Sequence, residues 1–295
     1  MMLDILWPIY QHKRVLAFTQ RPFSFAAEHG NFKIVVLFLE TGRIDINWQN
    51  GIQRTSLFLA AMRGHTTIVA LLLATGKVDP DKADIYGETP LFVAAKRGYV
   101  GVRRALLVTG KVNPKAESFG GHTPLTIAVK GGYTEAFELL LALENGYPSM
   151  EDETSYRSKL LLAAAEGGYT NIVEHLLATG KVYVWFLDSP IPLSTPLFIA
   201  ALRGHTSLVE LLLNLNVVRA FDRKRHGRSA FFVAAMKGHA LIVELMLATG
   251  IADINERDDH GITPLHAAIA GGHEQVVELF LDTGRACLTF TSTLD

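Results

Sequence analysis

One glycine recurs through this chain at a nearly fixed step, and that period constrains the fold more than any other feature. Gly30, Gly64, Gly98 and Gly132 stand 34 residues apart, Gly168 and Gly204 follow at steps of 36, and Gly238 and Gly272 return to 34. Around them one phrase repeats: T-S-L-F-L-A-A-M-R-G-H at 55–65, T-P-L-F-V-A-A-K-R-G-Y at 89–99, T-P-L-F-I-A-A-L-R-G-H at 195–205 and T-P-L-H-A-A-I-A-G-G-H at 263–273. Weaker copies start at Pro22, Lys159 and Ser229. A period of this length marks a stack of small supersecondary units rather than one globular core, so the 295 residues need not divide into two ordinary domains.

Each unit reads as a pair of helices. Thr89 can accept backbone N–H bonds at a helix start, and Pro90 suits the first helical position, where its missing N–H is not needed. Leu91, Ala94 and Ala95 share one apolar face, and Gly98 is the residue type that ends a helix in left-handed backbone. A second helix carries a denser stripe, Ile68, Val69, Leu71, Leu72 and Leu73 in one copy, and stops at Gly76. Asp and Gly turn formers then make a finger that leads to the next Thr-Pro. Neither helix of a single pair can be buried alone, so neighbours must stack.

This phrase resembles the ankyrin repeat over residues 21–284, with T-P-L-H-A-A intact in the last copy. The resemblance implies an all-α solenoid of about eight helix-turn-helix units with short turn fingers. Units are expected at 21–54, 55–88, 89–122, 123–158, 159–194, 195–228, 229–262 and 263–284. Residues 1–20, with Leu3, Ile5, Leu6, Trp7, Val15, Leu16 and Phe18, read as an apolar cap or decayed half repeat, and 285–295 as a tail. The ending L-L-L-A-T-G-K-V-D at 71–79 is similar to the style of ankyrin proteins of filamentous fungi.

Composition narrows the function classes. Lys and Arg number 28 against 29 Asp and Glu, so no global field favours nucleic acid. The single cysteine, Cys287, leaves no internal disulfide to form and fits a reducing compartment, cytoplasm or nucleus. No basic leader opens the chain and no apolar run spans a membrane, so a soluble intracellular protein is expected, and a monomer is expected alongside it.

Several motifs have structural readings. In T-G-K-V at 75–78, 109–112 and 179–182 the Lys is followed by Val where a phosphate loop needs Ser or Thr, so helix capping explains it. His65, His205, His239 and His273 alternate with Tyr99, Tyr133 and Tyr169 after the inner-helix Gly, a packing and hydrogen-bonding pattern rather than a metal set. Equivalent positions in successive units lie about 8–10 Å apart and line up instead of converging, which argues against a catalytic constellation. No enzyme activity, cofactor or metal is expected.

The partner is expected at the variable positions. The resemblance implies that the two residues before the inner-helix Gly face a concave groove, and Arg63, Lys96, Arg97, Lys130, Arg203 and Lys237 place cations there. The sixth finger adds Arg225, His226 and Arg228. Tyr86, Tyr156, His226 and His260 are expected in a row along the fingers, while Glu138, Glu174, Glu210, Glu244 and Glu278 put acid on the outer helices. Either solvated faces simply carry charge, or a basic groove holds an acidic segment of another protein. The fifth finger, K-V-Y-V-W-F-L-D-S-P-I-P, replaces turn formers with Trp185 and Phe186, which either fill a local gap or stand exposed as an anchor. The reading that follows is a scaffold or adaptor. Its alternatives are a small-molecule or enzyme-accessory role in a fungal biosynthetic pathway, and the repeat part of a formerly larger signalling protein.

Overall fold

Thr89 lies in extended backbone and its hydroxyl accepts from Phe92 N, so the following helix begins with one of its orphan donors satisfied. The same device recurs at Thr55, Thr123, Thr195, Ser229 and Thr263, each accepting from the backbone N–H three residues on. In this computed structural model, residues 19–143, 150–178, 195–215, 227–250 and 252–286 are described. Among the described residues there are sixteen helices and no strand.

Two compact units emerge, Met1–Gly146 and Tyr147–Asp295. The first holds α1 (residues 19–28), α2 (Phe32–Glu40), α3 (Ser56–Arg63), α4 (Thr66–Ala74), α5 (Pro90–Lys96), α6 (Val100–Leu107), α7 (Pro124–Lys130) and α8 (Thr134–Leu143). Inner helices α3, α5 and α7 pack in sequence, and outer helices α2, α4, α6 and α8 form a second layer. The second unit repeats the plan with inner α9 (Met150–Gly167), α11 (Pro196–Arg203), α13 (Ala230–Met236) and α15 (Pro264–Ala270). Its outer layer is α10 (Thr170–Ala178), α12 (Thr206–Asn214), α14 (Ala240–Ala248) and α16 (Glu274–Asp282).

Inner helices are flanked on both sides, so α5 buries every residue from Pro90 to Ala95. Outer helices bury a narrow stripe, Ile68, Val69 and Leu72 in α4 and Leu208, Val209, Leu212 and Leu213 in α12. Each such buried aliphatic side chain contributes about 1.5–3 kcal/mol. Glu138, Glu174, Glu210, Glu244 and Glu278 are exposed on the opposite faces.

The inner-helix glycine is required by space as well as by conformation. Gly98 has φ +72°, and a Cβ there would stand 2.5 Å from the Tyr133 ring of the next helix pair. Where His replaces Tyr, its ring reaches back instead: Nε2 of His65 donates to Glu28 O at 2.9 Å, and Nε2 of His273 to Met236 O at 3.0 Å. These histidines stitch one pair to the one before it.

Two expected boundaries shift. Residues 19 and 20 belong to α1, with Gln20 buried, so the division at 20/21 falls inside a helix. The division at 158/159 falls inside α9, which starts at Met150 and absorbs residues expected in the fourth finger. Residues 150–158 contain neither Gly nor Pro to stop a helix. Tyr156 is therefore a helical, half-buried residue and does not join a fingertip row. Trp185 and Phe186 of the fifth finger, and Arg225 and His226 of the sixth, lie outside the described residues.

Candidate interaction surface

The second finger is built around one carboxylate. Asp84 Oδ1 accepts from Tyr86 N at 2.9 Å and Glu88 N at 3.2 Å, while Gly87, at φ +72°, closes the turn onto Asp84 O. Its other oxygen, Oδ2, takes both Nε and Nη2 of Arg54 at 3.0 Å, and the guanidinium lies 5.0 Å from the Phe58 ring centroid. The third finger repeats the turn, with Ser118 N donating to His122 O and Gly121 N to Ser118 O. Phe119 N donates to Tyr86 O at 2.9 Å, which holds the two fingertips side by side. Their aromatic side chains project outward, Tyr86 57% and Phe119 83% exposed.

Beneath the tips, the residue before each helix-capping Thr faces the last turn of the helix it introduces. Glu88 accepts from Lys96 Nζ at 2.7 Å, and His122 Nε2 accepts from Lys130 Nζ at 3.1 Å. Lys96 also sits 5.8 Å from the Phe92 ring centroid. Together these groups border a groove of about 390 Å³, lined among others by Tyr86, Glu88, Phe92, Lys96, His122 and Ile127. Burial, reinforced by the charges of Lys130 and Lys96, lowers the pKa of His122 below its ordinary value. The site thus carries two lysines whose charge disfavours protonation of the His122 imidazole.

The structure sorts the sequence-predicted cations into three kinds. Arg63 and Arg203 are exposed but ion-paired, to Glu28 at 2.7 Å and Glu166 at 2.6 Å. Both acids stand two residues before the inner-helix Gly of the preceding pair, one place ahead of the position that matches the arginine, so the expected basic lining is locally neutralised there. Arg228 is a structural residue: its Nε and Nη2 hold Asp258 Oδ2 at 3.0 and 2.9 Å, and it lies 5.2 Å from the Phe232 ring centroid. Burial pushes the Asp258 carboxyl up, but hydrogen bonds from Ile262 N, Arg228 and His260 N outweigh it and hold the pKa below the ordinary value. Arg97 and Lys237 end their helices exposed and, among the described residues, have no acidic partner. Tyr86 and Lys96 come together in the groove, with Lys130 against His122 at its edge.

Sequence reasoning passed over His122, Arg54, Glu88 and Phe119. The missed signal is the position directly before the capping Thr or Ser, occupied by Arg54, Glu88, His122 and Arg228, eight residues ahead of Met62, Lys96, Lys130 and Met236. Among the described residues, no group of three or more His, Cys, Asp or Glu is placed to hold a metal ion. No described helix is long and apolar enough to cross a membrane.

The family model described as ankyrin repeats (3 copies) matches residues 23–118, 160–258 and 197–291. The chain belongs to the ankyrin-repeat family. Ankyrin repeats generally mediate protein–protein interaction, and the family is generally non-enzymatic. No curated protein matches this ankyrin-repeat chain.

Proposed function

We propose that this ankyrin-repeat chain is a protein-interaction scaffold whose second and third fingers, with the ends of α5 and α7, hold an acidic segment of a partner protein. The observation that carries the reading is the groove itself, where exposed Tyr86 and Lys96 share the lining, with exposed Phe119 on the adjoining fingertip and Lys130 against His122 at the edge. Aromatic anchors beside charge are typical of residues that dominate binding. The Lys96–Glu88 pair does not block this use. It is half exposed on the lysine side, and such surface pairs are worth about 0–1 kcal/mol, so a partner carboxylate can replace Glu88 at small cost. Arg54 is different, because its Asp84 partner is fully buried and the pair holds the finger.

The test is crosslinked capture from native extract with wild type and with the triple variant Lys96→Glu, Arg97→Glu, Lys130→Glu, circular dichroism confirming that both are folded. A protein captured by wild type, lost by the variant, released by salt and crosslinked through an acidic segment supports the reading. Capture unchanged by the three reversals sinks it. A small molecule retained by wild type, with no protein, moves the assignment to the accessory role in a biosynthetic pathway.

A further inference from the structure

The groove beneath the second and third fingers has a counterpart earlier in the chain. A second cavity of about 390 Å³ opens between α1, α3 and the first finger, lined among others by Phe25, Glu28, Asn50, Ile52 and Leu59. Stepped forward by two repeats of 34 residues, Glu28 falls on Lys96, Asn50 on Ser118 and Leu59 on Ile127, all of which line the Tyr86–Lys96 groove. The two cavities are therefore the same place in the repeat, two helix pairs apart within one compact unit. At the step between them stands Met62, which is buried. Backbone bonds hold the three fingertips in one row, with Ile85 N donating to Ile52 O at 3.3 Å and Phe119 N to Tyr86 O at 2.9 Å. Chemistry separates the two cavities. In the earlier one the polar lining is already committed: Ser24 Oγ lies 3.0 Å from Ser56 Oγ, Glu28 holds Arg63 at 2.7 Å, and Asn50 Oδ1 accepts from Ile52 N and Arg54 N. What remains is apolar, Phe25 59% and Ile52 40% exposed beside half-buried Trp48, with Arg21 as an exposed cation.

We propose that the partner segment runs extended along this row and seats one large apolar side chain in the Phe25–Ile52 cavity, an inference that rests on the reading that its acidic residues occupy the Lys96–Lys130 groove. The finger row joins the two cavities into one continuous surface. Arg21 and the neutralised Glu28 make the first cavity tolerant of a chain that carries acid nearby. The repeat then sets the spacing of the ligand. Neighbouring helix pairs pack roughly 8–10 Å apart, so two steps span about 16–20 Å. Extended backbone advances about 3.3 Å per residue, which places the apolar anchor about five or six residues from the acid. A helical ligand would need about 11–13 residues to cover the same span.

The experiment uses the full chain and dye-labelled peptides of Gly and Ser that carry a run of Glu and a single Trp, the Trp placed at increasing separations on either side of the acid. Affinity is read by fluorescence polarisation. The expected result is that Trp at a separation of about five or six residues tightens binding about tenfold over the Trp-free peptide. Phe25→Ser plus Ile52→Ser should abolish that gain and leave the affinity of the Trp-free peptide unchanged. Both side chains are already substantially exposed, and circular dichroism checks the fold. Lys96→Glu plus Lys130→Glu should weaken every peptide. Binding of the acidic peptides without any separation-dependent gain overturns this inference and leaves the acidic-segment reading standing. A gain equal at all separations, one that peaks at the helical spacing, or one that survives the two Ser substitutions overturns it too. If no peptide binds, or binding ignores the lysine reversals, the acidic-segment reading falls and this inference with it.

Discussion

Arg103 sits where its neighbours carry apolar side chains. It occupies the α6 position matching Val69 in α4 and Phe137 in α8, it is fully buried, and none of its three guanidinium nitrogens has a hydrogen-bond partner. Burial lowers its pKa, with Glu135 opposing that shift. An unpaired buried polar group costs about 1–3 kcal/mol, more when charged, so Arg103→Val should raise stability by at least that order, measured by denaturant unfolding. His122 offers a second test at this scale. Its pKa is lowered in the fold, so the unfolded chain binds the proton more readily. Stability contributed by the neutral imidazole is complete above the ordinary value of 6.5 and declines as pH falls through the folded pKa. Lys130→Ala removes one of the lowering charges and should move the His122 titration upward in an NMR pH series; a titration that stays put would mean the lysine does not face the ring.

Helix ends and fingers carry most of the directed bonding, so substitutions there report on single elements. Thr89→Ala removes the cap of α5 and should cost about 1 kcal/mol by thermal unfolding. The two arginine pairs of the second compact unit allow a sharper comparison. Arg228 serves an Asp258 carboxylate with no exposed surface, whereas Arg203 serves a Glu166 that is 60% exposed. Arg228→Ala strands a buried acceptor and should cost about 1–3 kcal/mol, while Arg203→Ala should stay within about 1 kcal/mol. Equal losses would contradict the division between structural and surface arginines.

Within each compact unit, a described helix pair contacts mainly the pairs next to it, so the stability of each unit is a chain of neighbour terms rather than one shared core. Leu72→Ala in α4 opens a cavity at a fully buried site and should cost about 2–5 kcal/mol locally. Hydrogen exchange should then rise in α2, α4 and α6 while α12 and α14, in the other compact unit, keep their protection. Uniform loss of protection across the chain would show a cooperativity that the contact pattern does not contain.

The periodic glycines, the Thr-Pro helix starts and the apolar stripes made the helix pairs and the ankyrin family readable from the sequence, because capping, backbone handedness and helical spacing are local and act within a few residues. The start of α9 at Met150 escaped that reading, because the register of the repeat placed a finger there although residues 150–158 contain neither Gly nor Pro to stop a helix. Charge misled in the same way. Arg63, Arg203 and Arg228 look alike as letters, but their acidic partners, Glu28, Glu166 and Asp258, lie 30 to 37 residues away and are brought near only by stacking. His122 beside Lys130, the orphaned Arg103 and the Phe25–Ile52 cavity belong to the same class. Local chemistry determined the elements; which side chains are neutralised, sealed or left open was decided by the packing of one helix pair on the next.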